Sequence, residues 1–386
     1  MTRSERATAE QPCKNKSPFT VTDKMDGING LTNLGNTCFI NTCIQILYYT
    51  PKWNELLKAP KYLNETNECK VIVEEWNKLA ELMLQNNCEI SPNRFIYFIR
   101  EISKAKGKLL FADGSENDFT EFFVFFVEII HELFSQKLNF KIDKGMVIKY
   151  MEQQKYGVGG GGAAKYEVYN YDKIGKKCFQ SIRDIYKKEY SEIVTMFYGL
   201  TFSTVISKTT GKIHSVNSEP FFILNLPVIH GRRGCTLEQC IEHYISPEEM
   251  VGENAWYNET TKQKEDVLKQ ISFWSFPNIL VISLKQFTDG PKTFVHFPVR
   301  DFNLNKYVKG CVNYENPDDN LYDLYAVANH FGNTFGGHYT ALIKMRGGQW
   351  MHFDDKDISL VDEHVVVSPN AYCLFYLKRN VTHKLG

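Results

Sequence analysis

The chain has no surplus of charge. Forty-five lysines and arginines balance 45 aspartates and glutamates. Nucleic acid and anionic membranes both demand a basic excess, so neither is expected as a partner. Long hydrophobic runs are also missing, and no stretch approaches the ~18 apolar residues of a membrane span. Residues 1–24 are polar and read as a disordered tail without a secretory signal. Ten cysteines in 386 residues follow no framework spacing, which predicts free thiols and a reducing compartment, cytoplasmic or nuclear. No internal repeat is found. The glycine-rich stretch 157–164 is followed by no Gly-Lys-Ser/Thr, so it reads as a flexible linker, natural or engineered, and not as a phosphate loop.

What is present is an ordinary globular composition, 43% hydrophobic and 23% charged, long enough for one large core or two modest ones. From Cys38 to about Phe134 the apolar spacing is mostly helical, as in 71–84 and 119–134. After a helical segment at 180–194, strand-like runs dominate: 201–206, 221–228, 278–287, 324–330, 338–345, 349–353 and 372–377. A helical half followed by an antiparallel half predicts an α+β fold.

The stretch that organises this chain is Gly30-Leu31-Thr32-Asn33-Leu34-Gly35-Asn36-Thr37-Cys38-Phe39-Ile40-Asn41, a polar loop running into a helix. Asn36 or Thr37 is the expected N-cap, which puts Cys38 in the first helical turn. The helix dipole there favours the thiolate, the nucleophilic form. The bland alternative is a small buried hydrophobe.

A thiolate hydrolase also needs a base, a group that orients the base, and donors for an oxyanion. His338 follows the paired glycines Gly336 and Gly337, which allow close approach to a substrate backbone. His330, His352 and His364 are its local competitors. Asp354 and Asp355 end the next strand, where strand parity sends them to opposite faces. Asp354 is the expected partner of the imidazole, with Asp355 either supporting the catalytic residues from behind or helping the oxyanion. The Cys38 backbone N–H and the Asn33 side-chain amide are the expected oxyanion donors.

With these residues in view, the chain resembles the ubiquitin-specific proteases, deubiquitinating cysteine proteases of the papain-like superfamily. Residues 30–41 match that family's cysteine box. Gly336-Gly337-His338-Tyr339-Thr340-Ala341, with Trp350 and Phe353-Asp354-Asp355, matches its histidine box. Asn117-Asp118-Phe119-Thr120-Glu121-Phe122 and the strand ending Leu284-Lys285-Gln286-Phe287 fall in family order between them. The resemblance covers about residues 28–379. It implies a catalytic domain over 25–380, shaped as a hand. The helical thumb spans about 28–195, the fingers about 196–222 and 245–275, and a β palm takes the remainder. It implies hydrolysis after the C-terminal glycine of ubiquitin, with ubiquitin and ubiquitinated proteins as partners and the enzyme acting as a monomer. It also implies substrate contacts from Asp118, Glu121, Gly336, Gly337, Tyr339 and Asp355. Residues i and i+3 share a helix face, and paired carboxylates suit a guanidinium fork. A plain solvated helix start, with Asp118 complementing the dipole, is the alternative.

Family members usually hold a fingertip zinc with two Cys-x-x-Cys pairs. The matching positions here are Ser207, Thr210, Asn258 and Thr261, which cannot form a thiolate site. No metal and no cofactor are therefore expected, and the fingers should be held by packing and strand pairing alone. His230, Cys235, Cys240 and His243 are read as core and not as a substitute site. Glu116-Asn117 replaces a glutamine pair, and Gln286 replaces an arginine. A catalytically silent ubiquitin-binding scaffold, a protease for a ubiquitin-like modifier and a general papain-like peptidase are the competing functions.

Overall fold

The structure, a computed structural model, describes residues 28–59, 67–85, 89–138, 164–231, 234–286, 292–310, 319–333 and 336–382. The tail at 1–24 and the linker at 157–163 lie outside the described residues, and Ala164 opens a helix. In chain order the elements begin β1 (Gly30–Leu31), α1 (Cys38–Tyr48), α2 (Trp53–Lys58), α3 (Val71–Met83), β2 (Glu89–Ile90), α4 (Asn93–Ala105) and α5 (Phe119–Phe134). There follow α6 (Ala164–Lys188), α7 (Glu192–Phe197), β3 (Gly199–Ser207), β4 (Ile213–Phe221), β5 (Ile223–Pro227), β6 (Cys235–Thr236) and α8 (Leu237–Tyr244). Next come β7 (Glu248–Met250), β8 (Trp256–Asn258), β9 (Gln263–Glu265), β10 (Val267–Ser275), β11 (Ile279–Lys285), β12 (Val295–His296) and β13 (Phe302–Asn303). The chain closes with β14 (Leu321–Asn333), β15 (Gly336–Lys344), β16 (Trp350–Asp354), β17 (Asp357–Val361), β18 (Ala371–Lys378) and α9 (Arg379–Thr382). Helices come first and strands later, so the fold is α+β.

The described residues form two compact units, one within 1–135, 286–292 and 324–375, the other within 136–285, 293–323 and 376–386. In the first, strands run in the order β17-β16-β15-β14-β18. Helix α1 packs against β15, β16 and α5. Helix α5 is apolar almost all round, with Phe119, Phe122, Phe123, Phe125 and Phe126 all buried. A helix with that pattern has to be enclosed. One side meets Phe375 and Tyr339. The other meets Trp53, Trp76 and Phe95 through Phe126. Burying each such ring contributes roughly 1.5–3 kcal/mol. This core fixes α1 against the strands that carry the histidine box.

In the second unit the antiparallel sheet order is β4-β3-β10-β7. Ile174, Cys178 and Phe179 of α6 form a core with Leu200, Phe202, Ile213 and Trp274. Strands β11 and β5 pair in parallel, aligning Val281 with Ile223.

Candidate active site

The loop before α1 is tied together by its own polar side chains. Asn33 Oδ1 accepts the backbone N–H groups of Gly35 at 3.0 Å and Thr37 at 3.2 Å, and the Thr37 hydroxyl at 3.2 Å. Thr37 Oγ1 in turn accepts the Leu34 N–H at 2.9 Å. Gly35 (φ 86°) and Asn36 (φ 53°) take left-handed conformations to complete the turn. Thr37 stands at the N-cap position as the sequence predicts, yet its side chain makes no capping bond. Its hydroxyl faces backwards into the loop, so Thr37 caps none of the first-turn N–H groups of α1.

Cys38 opens α1 and is only 3% exposed. Here the sequence expectation is corrected. Burial pushes the thiol above its ordinary range, and the charges of Asp355 and Glu116 add to that. Backbone N–H groups of Tyr339 and Phe39 act on the sulfur in the opposite direction but do not prevail. Desolvation of a buried sulfur acts against the helix start and favours the neutral thiol.

His338 sits on β15, one residue before the Tyr339 N–H that reaches Cys38. Its Nε2 lies 2.5 Å from Asp354 Oδ1, and the two side chains are 39% and 44% exposed. The competing histidines are occupied or remote. His352 Nε2 meets Thr340 Oγ1 at 2.9 Å, and burial lowers its pKa. Burial and then Lys292 bring His330 down to about 4. His364 is exposed in the short turn Glu363–Val365.

Asp354 ends β16, and Asp355 turns away in the left-handed region at φ 51°. Asp355 Oδ2 accepts the Asn33 amide at 2.8 Å, and its Oδ1 accepts the Asn41 amide at 2.8 Å. Asn33 keeps one N–H of its amide for another acceptor. The turn is pinned by Leu31, whose N–H donates to the Asp355 carbonyl at 2.8 Å. Gly30 is required there, because a Cβ would collide with the Lys356 backbone.

Asp118 is the N-cap of α5 and accepts the Glu121 N–H at 3.0 Å. Thr120 donates its hydroxyl to the same Oδ1. Oδ2 accepts the hydroxyls of Tyr372 at 2.5 Å and Tyr339 at 3.5 Å. Glu121 is exposed. The expected open pair of carboxylates is therefore uneven: both oxygens of one are already engaged. Gly336 and Gly337 begin β15 beside Glu116, whose Oε1 accepts the Gly337 N–H at 2.6 Å. A Cβ on Gly337 would run into the His330 ring and the Phe331 carbonyl.

The sequence reasoning missed Asn41 and Tyr372. Asn41 could have been found, since a polar residue one turn after Cys38 faces the same way on the helix. Tyr372 gave no local signal.

Among the described residues the cluster with metal-ligand chemistry is His338, Asp354 and Asp355, whose donor atoms lie within 4.8 Å of one another. Both oxygens of Asp355 already accept amide N–H groups, and Asp354 Oδ1 is engaged by His338. At the fingertip, Ser207 Oγ accepts the Thr210 N–H, while Asn258 Oδ1 accepts those of Thr260 and Thr261. Glu265 ties the corner together through His214 Nε2 at 2.9 Å and Asn258 Nδ2 at 3.2 Å. The expectation of packing and strand pairing alone is thus corrected by a hydrogen-bonded knot around a carboxylate. Cys235 and Cys240 are buried with sulfurs 3.5 Å apart, at the positions of a hydrophobic staple around the Thr236–Gln239 capping box. The core reading holds for the two cysteines and is corrected for the histidines, since His230 and His243 are exposed; His230 Nδ1 meets Thr293 Oγ1.

Comparison with known proteins fits this geometry. The sequence profile of the family described as ubiquitin carboxyl-terminal hydrolase matches residues 29–376. Human ubiquitin carboxyl-terminal hydrolase 2 is 28% identical over 366 residues, covering 91% of this chain and 55% of that protein. The Drosophila melanogaster hydrolase Usp2 is 29% identical over 366 residues, covering 92% of this chain and 35% of its own length. The chain thus spans about half or a third of these relatives. A solved SAGA Ubp8/Sgf11/Sus1/Sgf73 DUB module bound to ubiquitin aldehyde superposes with a TM-score of 0.65 at 20% identity, over 93% of this chain and 72% of that one. A yeast SAGA DUB module matches with a TM-score of 0.63 at 20% identity, over 95% and 71%. The profile covers nearly the whole sequence and includes every residue of the site, so the chain belongs to the ubiquitin carboxyl-terminal hydrolase family.

Proposed function

We propose that this chain is a thiol-dependent deubiquitinase, hydrolysing the isopeptide or peptide bond after the C-terminal glycine of ubiquitin. The observation that carries the reading is the pairing of His338 with Asp354 beside a buried Cys38 that senses the Tyr339 N–H. Since Asp354 engages Nε2, Nδ1 is the nitrogen left to take the thiol proton. The sulfur then attacks the glycine carbonyl, and the Cys38 N–H and the free Asn33 N–H bind the oxyanion. The imidazolium returns its proton to the leaving amine, and the same ring activates the water that hydrolyses the thioester.

In the same proposal, Gly336, Gly337 and Tyr339 line the path of the extended tail, and Glu121 with Asp118 faces its cationic residues. The division into thumb, fingers and palm belongs to this proposal too, as does action as a monomer in a reducing compartment. Ubiquitin bearing a C-terminal electrophile should modify Cys38 in wild type and not in Cys38→Ala. His338→Ala should abolish turnover of a ubiquitin–fluorophore substrate. Folded wild-type protein that binds ubiquitin without being labelled would establish the silent scaffold instead. Equal turnover of casein would establish a general peptidase.

A further inference from the structure

Several observations meet at Glu116. Its Oε1 accepts the Gly337 N–H at 2.6 Å, bridging 221 residues. A Cβ placed on Gly336 would come within 3.4 Å of its Oε2. The carboxylate therefore lies along the first two residues of β15, directly before His338. The loop around it is fixed. Asn117 Nδ2 donates to the carbonyls of Leu110 at 2.8 Å and Ser115 at 2.9 Å, and Asp118 caps α5. The charge of Glu116 also reaches the Cys38 sulfur, where it opposes ionisation. Helix α1 has no acidic residue in its first turn and no basic residue in its last.

We propose that Glu116 is a positioning residue: its oxygen fixes the start of the strand that bears His338. The proposal rests on the hydrolase reading for its significance.

Two substitutions test the clamp. Glu116→Gln keeps an acceptor oxygen for Gly337, while Glu116→Ala removes it. Amide hydrogen exchange at Gly337, measured in the full chain, reads the clamp directly. It should quicken about tenfold in Glu116→Ala and stay near wild type in Glu116→Gln. On a ubiquitin–fluorophore substrate, kcat should fall about tenfold in Glu116→Ala with little change in KM, and Glu116→Gln should restore most of it. Equal Gly337 exchange in the two variants overturns the proposal. Wild-type protein inert toward ubiquitin, with Gly337 exchange still quickened in Glu116→Ala, would instead defeat the hydrolase reading and leave the clamp standing.

Discussion

Asp355 accepts the side-chain amide of Asn33 at 2.8 Å, across 322 residues of sequence. The bond spends one amide N–H and turns the other loose in a fixed direction, while Asn33 Oδ1 is held by Gly35 and Thr37. Asp355 is itself braced by Asn41 at 2.8 Å. In the proposed mechanism Asp355 aims a donor and carries no proton.

Asp355→Ala should therefore lower kcat by on the order of 10²-fold with little change in KM, the signature of an interaction realised only in the transition state. The decisive comparison is the double-mutant cycle with Asn33→Ala. If Asp355 acts through Asn33, the double variant is no slower than Asn33→Ala alone. Fully additive losses would separate the two residues.

Asp354→Asn should leave the fold intact while reducing kcat by on the order of 10³–10⁴, because an amide no longer enforces the Nε2–H tautomer that leaves Nδ1 free as base. Circular dichroism and steady-state turnover check this together. Retention of more than a tenth of wild-type kcat would show that the 2.5 Å contact is not needed to orient the ring.

The state of Cys38 gives a pH prediction. Burial, then the Asp355 and Glu116 charges, raise its pKa despite the Tyr339 and Phe39 N–H groups. Alkylation of the free enzyme should titrate above the ~8.5 of an unperturbed thiol. The sign for stability follows. The thiol costs nothing below the unfolded value, and the folded state loses stability as pH rises through it, because only the unfolded chain ionises there. An alkylation midpoint near 6 would reveal a standing thiolate–imidazolium pair.

The parts of the site that were legible in the sequence are those built from local chemistry. The Asn33–Thr37 loop, the first turn of α1 and the capping of α5 by Asp118 depend on residues within a few positions of one another. The α+β order was legible because hydrophobic period changes from helical to alternating along the chain. The thiol's environment was not. Its burial and the Glu116 charge come from packing that brings positions 116, 339 and 355 to residue 38. For the same reason Tyr372 against Asp118 carried no signal. The fingertip failed differently: removing the thiolates from a motif says what cannot bind there, and nothing about which hydrogen bonds fill the space.

Those hydrogen bonds give a further prediction. Ser207, His214 and Asn258 together pull the Glu265 carboxyl down to about 2. A depressed carboxyl contributes stability above the unfolded value near 4.3 and loses it as pH falls toward 2. Protection of the β3 and β4 amides against hydrogen exchange, taken relative to the intrinsic rate at each pH, should therefore fall between pH 4.5 and 3 in wild type. Glu265→Gln should flatten that dependence. Because the knot uses no thiolate, chelators should leave the melting temperature unchanged. A fall in melting temperature on adding EDTA would place a structural metal in the protein.

The last prediction concerns a charge far from the chemistry. Glu75 on α3 has a side chain only 2% exposed, and Arg94 on α4 grips it with Nε at 2.9 Å and Nη2 at 2.8 Å. Lys78 reaches the same carboxylate at 2.8 Å from a half-exposed position. Removing Arg94 leaves a buried carboxylate with one solvent-facing partner, so Arg94→Ala should destabilise by about 2–3 kcal/mol, the lower side of the usual cost because Lys78 remains. Glu75→Leu combined with Arg94→Met replaces both partners by apolar groups of similar size and should recover most of that loss. Urea midpoints at constant slope measure both. If the double variant is less stable than Arg94→Ala alone, the pair contributes more than the desolvation it relieves, and α3 and α4 are held together chiefly by charge.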